Sequence, residues 1–227
     1  FLRLATTPTN PITGNNNSIS FATSDSGTYS QVIAGWDFRV TQTVPGQSGV
    51  GMSFALLNTA NYGTSGQAAS IAPQQGIYDG SLAYGFDTTA NVIYVSLNGA
   101  IVSAEDISGQ LNLATGQFIH AQSTIDFVNS TVTLVLTPSV SGSPVTVFNS
   151  LEIPDLAPYQ SRVGYQAQSS AAAFANFDLD NVNVQFEGRR LAGTISFGSS
   201  VYVANENQGY VQISIVRTGG SAGSATV

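Results

Sequence analysis

The 227-residue chain has no cysteine, no lysine, one histidine and one tryptophan. Without cysteine there are no disulfides, no thiolate metal ligands and no sulfur nucleophiles. A single histidine, His120, rules out a histidine-based metal centre. All six basic residues are arginines (Arg3, Arg39, Arg162, Arg189, Arg190 and Arg217), set against thirteen acids for a net charge of −7. So few cations on an acidic chain leave no footprint for phosphate, so neither nucleic acid nor an anionic membrane surface is an expected partner. No apolar run approaches the roughly 18 residues of a membrane-crossing helix, and membrane insertion is not expected either. The acidic balance keeps a chain soluble and is also compatible with calcium.

What is abundant is β-forming. Hydrophobic residues make up 42% of the chain and charged residues only 8%, so Ser, Thr, Asn, Gln and Gly must do the solubilising, as on secreted or cell-surface β-proteins. Apolar residues alternate with polar ones and nowhere hold a helical period. The pattern predicts strands over 18–21, 32–40, 50–57, 82–87, 92–97, 118–127, 131–137, 145–150, 162–168 and 174–186, separated by turn pairs such as Asn98-Gly99. Val128-Asn129-Ser130 predicts a tight hairpin. About a dozen short-linked strands pack as two antiparallel sheets, a sandwich or jelly roll.

Three details sharpen this expectation. Phe54 alternates with Met52 and Leu56 and belongs between the sheets, with Ser53 on the other face, and Trp36 likewise reads as core. Between Phe177 and Leu179 on one side and Val182, Val184 and Phe186 on the other, the apolar parity flips, which predicts a one-residue bulge near Asp180-Asn181. After the charged hexapeptide Glu187–Ala192 the β-pattern restarts, placing a first domain at 1–188, a linker at 189–192 and an incomplete second domain at 193–227. Both ends fall within β-like pattern and are expected to continue into a longer protein.

Catalytic chemistry is poorly supplied. Glu105, Glu152, Glu187 and Glu206 are isolated, whereas a glycoside hydrolase needs two carboxylates flanking one bond. Asp178 and Asp180 share a face at i and i+2, but the simpler role for Asp180 is to bond backbone amides at the bulge. His120 sits in a strand with no nucleophile elbow anywhere in the chain, so it reads as a hydrogen-bonded structural residue. The expectation is a non-enzyme.

Four segments carry a family resemblance. Gly51–Leu57 resembles the "DGLAFVL" strand of L-type lectins, and Gly85-Phe86-Asp87-Thr88 resembles their "FDT" strand. Arg162-Val163-Gly164-Tyr165 and Asp178–Val182 resemble the closing "GRVGF…DIDNV" strands of concanavalin A-like and laminin-G-like modules. The resemblance spans residues 1–188 and implies a concanavalin A-like jelly roll. The tail, through Ile195-Ser196-Phe197, Glu206, Gly209 and Arg217–Gly220, resembles the start of a Calx-β domain, which implies a partial second β-sandwich and a modular surface protein. The lectin sugar-gripping Asp falls at Val50, and the acidic metal loop after "FDT" is shortened to Asp87–Asn91. No cofactor is therefore expected to be required. Asp87 and Asn91 are what remains as metal ligands in the jelly roll, and Glu206 matches an acidic position of the Calx-β part, where Ca2+ could bind. Tyr78, Asp79 and Gly80 lie where lectins use a ligand loop and are the expected glycan contacts.

These features lead to an expected structural and adhesive module of an extracellular or cell-surface protein. Its expected partners are neighbouring domains or identical subunits met through β-strands. The alternative is a carbohydrate-binding module, and a glycoside hydrolase ranks third.

Overall fold

The structure, a computed structural model, describes residues 1–5, 15–23, 27–44, 46, 49–70, 72–140, 142–170, 174–188, 194–202 and 213–218. Sheet I contains β1 (Leu2–Ala5), β3 (Gln31–Gln42), β8 (Phe118–Asp126), β9 (Thr131–Pro138), β10 (Val145–Glu152) and β12 (Ala175–Glu187), in the order β1-β12-β3-β8-β9-β10. Sheet II contains β2 (Asn15–Ser20), β4 (Gly51–Asn58), β5 (Leu82–Asp87), β6 (Val92–Leu97), β7 (Ala100–Asp106) and β11 (Ser161–Ser169), in the order β2-β11-β4-β5-β6-β7. Pairing is antiparallel throughout both sheets. The result is the all-β jelly-roll sandwich that the alternation predicts.

The core is aromatic where the central strands cross. Trp36 of β3 stacks on Phe54 of β4, with centroids 4.7 Å apart and planes 8° from parallel, while Phe86 and Tyr165 present their edges to the same indole. All four are buried. Offset stacks and edge contacts of this kind add to the burial of their area.

The bulge lies where the parity change puts it. Pairing of β12 with β3 shifts between Asp180 and Asn183, Asn181 takes a positive φ of 47°, and its N–H donates to Asp180 Oδ1 at 3.0 Å. Phe177 and Leu179 before it, and Val182, Val184 and Phe186 after it, all reach the core. Asp178 is the surprise on this strand. Its carboxylate is fully buried on the outer face of sheet I, accepting from Arg3 Nε at 2.7 Å and from Arg39 Nη2 at 2.7 Å. Burial alone would raise its pKa, but the bonds from Arg3 and Arg39 outweigh that and hold it below the usual carboxylate range.

Two strands escape the sequence pattern. β1 is four residues long, and β7 is an edge strand exposed almost throughout, so neither shows alternation. Ser53 lies on the face opposite Phe54, as expected, but that face is buried too. β4 is buried on both sides, because residues 59–81, with the short helix α1 (Thr59–Tyr62) and the 3-10 turn Pro73–Gln75, fold back over the outer face of sheet II.

That cover is held by side chains that reach through it. Arg162 of β11, itself buried, donates to three loop carbonyls, those of Tyr62, Gly63 and Gly66, each at 2.9 Å. Gln166 accepts from Ser70 N–H at 2.5 Å and donates to Ser70 O at 2.9 Å. The loop and sheet approach so closely at Gly85 that a Cβ there would lie 2.3 Å from the carbonyl carbon of Gln75. Only glycine allows that contact.

In the tail, β13 (Thr194–Phe197) pairs with β14 (Ile215–Thr218), leaving Ile195, Phe197, Ile213, Ile215 and Val216 exposed. The expected linker at 189–192, Glu206 and most of the expected second domain lie outside the described residues.

Candidate functional site

The candidate site is a rim where the end of the covering loop meets the β6–β7 turn. Asn58 ends β4 and caps α1, its Oδ1 accepting from Ala60 N–H at 2.9 Å while its Nδ2 donates to Gly80 O at 3.0 Å. Ser81 ties the other side, its hydroxyl accepting from Asn58 N–H at 2.9 Å and donating to Asp79 O at 3.1 Å. Ser81 O in turn accepts from Asn98 N–H at 3.1 Å, which docks the Asn98-Gly99 turn against the loop. Asn98 and Gly99 both have positive φ, the left-handed conformation a tight hairpin needs.

This scaffold fixes the three loop residues expected to meet a glycan, with different outcomes. Tyr78 turns inward. It is 2% exposed, and its hydroxyl bonds Ser53 Oγ and Gln166 Oε1, each at 2.9 Å. Burial, partly offset by the bond to Ser53, pushes that hydroxyl above the ordinary phenol range. Tyr78 thus anchors the loop and offers no ring to a ligand. Asp79 turns outward, with its N–H donated to the Tyr62 hydroxyl at 2.9 Å and its carboxylate free of hydrogen-bond partners among the described residues. Gly80, at φ 63°, passes so close to Asn61 that a Cβ would stand 2.5 Å from its Nδ2. A Cβ on Gly99 would stand 2.9 Å from Asp79 Oδ1.

The rim therefore gathers one exposed carboxylate, the exposed amides of Asn61 and Asn98, the half-buried ring of Tyr62 and two glycines that let Asn61 and Asp79 lie close against the backbone. An acceptor-only carboxylate with flanking amides matches adjacent hydroxyl groups, which donate and accept at once. Asn61, Tyr62 and Asn98 were not singled out from sequence, because they lie 17 to 19 positions from Asp79, Asn98 on the far side of a strand pair. The Asn98-Gly99 turn signal was visible, but its docking against residue 79 was not.

The residues expected as metal ligands serve as turn struts. Asp87 Oδ1 accepts from Thr89 N–H at 2.9 Å and Ala90 N–H at 2.8 Å, and Asn91 Oδ1 accepts from Leu113 N–H at 2.9 Å. Among the described residues no group of three or more His, Cys, Asp or Glu side chains converges. Glu206 lies outside them. His120 is half-exposed on the outer face of sheet I, its Nδ1 2.6 Å from Asp37 Oδ1.

Comparison with protein-family models and with curated proteins finds no match. Among solved structures the fold is well represented. Lectin II from Ulex europaeus superposes with a TM-score of 0.60 at 15% identity, over 80% of this chain and 86% of that one. Arcelin-5, a lectin-like defense protein from Phaseolus vulgaris, gives 0.61 at 17% identity, over 82% and 87%. Lectin I from Ulex europaeus, solved in complex with the methyl glycoside of α-L-fucose, gives 0.59 at 15%, over 81% and 84%. The chain is thus similar in fold to the legume lectins, the concanavalin A-like jelly roll that its motifs resemble.

Proposed function

We propose that this chain is a non-catalytic carbohydrate-binding module that takes a neutral sugar at the Asp79 rim. The observation that carries this is the Asp79 carboxylate, exposed and unpartnered among the described residues, on a backbone fixed from both sides, its N–H donated to the Tyr62 hydroxyl and its carbonyl accepting from Ser81. An exposed acceptor on a fixed backbone, with no bond of its own among the described residues, has no structural duty in the fold. Solved neighbours of the same fold that are lectins, one of them holding a fucoside, support the same reading over a purely structural role. Among the described residues no carboxylate pair flanks the rim, and in this reading the sugar is bound and released unchanged.

The setting we propose is extracellular or cell-surface. Among the described residues no helix is long and apolar enough to cross a membrane. The exposed apolar side chains of β13 and β14 favour a neighbouring domain or subunit packing on the tail, so that the sugar-binding sandwich is displayed within a larger assembly.

A glycan array identifies the sugar, and calorimetry then measures it against Asp79→Asn and Asp79→Ala. Both variants should bind at least tenfold more weakly, since each removes a charge-assisted acceptor worth about 1.5 to 3 kcal/mol. Unchanged affinity in both would move the sugar site elsewhere.

A further inference from the structure

The outer face of sheet I carries a second hydrogen-bonding hollow, on the opposite side of the sandwich from the cover of sheet II. It exists because of one missing side chain. On three adjacent strands the outward residues run Ile33-Gly35-Asp37 on β3, His120-Gln122 on β8 and Asn181-Asn183-Gln185 on β12, with Gly35 opposite Gln122 and Asn183. Gly35 leaves the middle of that patch without a side chain, and the side chains around it wall a hollow of about 270 Å³. That is just below the range of about 300–1,000 Å³ typical of pockets for drug-sized ligands, and so suits something the size of one ring.

The walls are preorganised by a single carboxylate. Asp37 Oδ1 accepts Nδ1–H of His120 at 2.6 Å, and Asp37 Oδ2 accepts from Asn181 Nδ2 at 2.6 Å. The bulge at Asp180-Asn181 is what brings Asn181 over β3 to make this bond. With Nδ1 committed to an acceptor, His120 turns Nε2 toward the hollow, where the Gln122 amide stands 3.5 Å away. The lining holds no arginine, which disfavours an anion, and only Ile33 is apolar, which disfavours a lipid or an apolar peptide. What amides and an imidazole on a rigid sheet complement is a neutral group rich in hydroxyls or acetamides.

We propose that this hollow is a second carbohydrate subsite, taking one ring of a neutral glycan through His120, Gln122, Asn183 and Gln185. It rests on the proposed carbohydrate-binding function but uses a separate face. A module with one subsite on each side would bridge two glycan strands, and on a polymeric surface it would gain avidity from the pair.

Gly35 makes the test clean. Its φ is not in the left-handed region, and an added Cβ would meet only side-chain ends, Gln122 Oε1 at 3.3 Å and His120 Cε1 at 3.5 Å. Gly35→Val should fill the hollow and leave the strand intact. Isotope-labelled full chain is titrated with cellohexaose and, separately, chitohexaose, following the His120 ring and the side-chain amides by NMR. The expected result is saturable shifts at His120, Gln122, Asn183 and Gln185 with at least one oligosaccharide, weakened at least tenfold in Gly35→Val and in His120→Ala but not in Asp79→Asn. No shift at these groups with either oligosaccharide, or shifts unaltered in Gly35→Val, overturns the inference. Shifts confined to the Asp79 rim overturn it while leaving the proposed function standing, and shifts confined to the hollow support it, leaving the rim to be judged by the array sugar and the Asp79 variants.

Discussion

The two outer faces of the sandwich solve the same problem in opposite ways. Sheet II hides its outer face beneath residues 59–81, so that Ala55, Leu57 and Ala83 form a second small core with Ala68 and Tyr78. Four neutral polar groups trapped there, Ser53, Ser70, Tyr78 and Gln166, bond one another, and the one buried charge there among the described residues, the Arg162 guanidinium, donates to backbone carbonyls of the loop rather than to a carboxylate. Sheet I leaves its outer face to solvent and buries one charge on it, Asp178, beneath Arg3 and Arg39, with Arg39 also stacked over Phe118 at 4.5 Å. A covered face demands glycine where backbones touch, whereas an open one uses glycine to make room. Gly85 and Gly35 are one instance of each, and exchanging their roles is the way to break the comparison.

The largest effect should come from Gly85→Ala. The new Cβ would lie 2.3 Å from Gln75 C and 2.5 Å from Gln74 O, both backbone atoms that no rotamer change moves. Overpacking of this kind typically costs about 1 to 3 kcal/mol, and the upper end is expected here because the loop must lift from the sheet. Urea denaturation measures the loss, and limited proteolysis should then cut within 59–81. A variant as stable and as resistant as the parent would mean that the loop is not seated on β5.

How far sequence could reach follows the same division. Alternation is legible where one face is wet, which is why β3, β8 and β9 and the bulge in β12 were all readable, as was Phe54 as core. On β4 alternation correctly placed Met52, Phe54 and Leu56 inward and Ser53 on the other face, but it gave no sign that this face is covered, because the cover comes from elsewhere in the chain. β7 carried no signal, since an edge strand exposed on both faces has no period. The candidate site was legible only as a loop. Asp79 and Gly80 were reachable from their place where lectins use a ligand loop, but that Tyr78 points inward depends on Gln166, 88 residues away. Arg162, part of a quoted motif, gave no hint that it clamps three loop carbonyls.

An intermediate effect, and one that separates the faces by pH, concerns Asp178. Its folded-state pKa is depressed below the unfolded value of about 3.9, so its contribution is fully present above that value and is lost as pH falls through the folded pKa. Asp178→Asn should therefore be less stable than the parent at pH 7, and the gap should close progressively below about pH 4. The neutral network under the loop of sheet II has no such acid limb, and Tyr78→Phe should run parallel to the parent across the same range. Melting curves of the three proteins from pH 7 to pH 2.5 decide it. A constant gap for Asp178→Asn would show that the arginines do not stabilise the ionised carboxylate.

The smallest effect is expected for Gly35→Val, and its smallness is the informative part. A β-branched residue suits the middle of β3 and restricts the unfolded chain more than glycine does, a gain of up to about 1 kcal/mol at a compatible site. Against it, the added methyls displace water from the Asp37–His120 pair, whose side chains are 21% and 44% exposed and so lose little by partial covering. The two contributions leave a net change within about 0.5 kcal/mol, as for substitutions on open surface. Set beside Gly85→Ala in the same urea series, this gives a difference of roughly 2 kcal/mol between two glycine substitutions on adjacent layers of one sandwich. A loss above about 1 kcal/mol for Gly35→Val would mean that the outer face of sheet I is as tightly covered as that of sheet II, and the hollow proposed there would lose its physical basis.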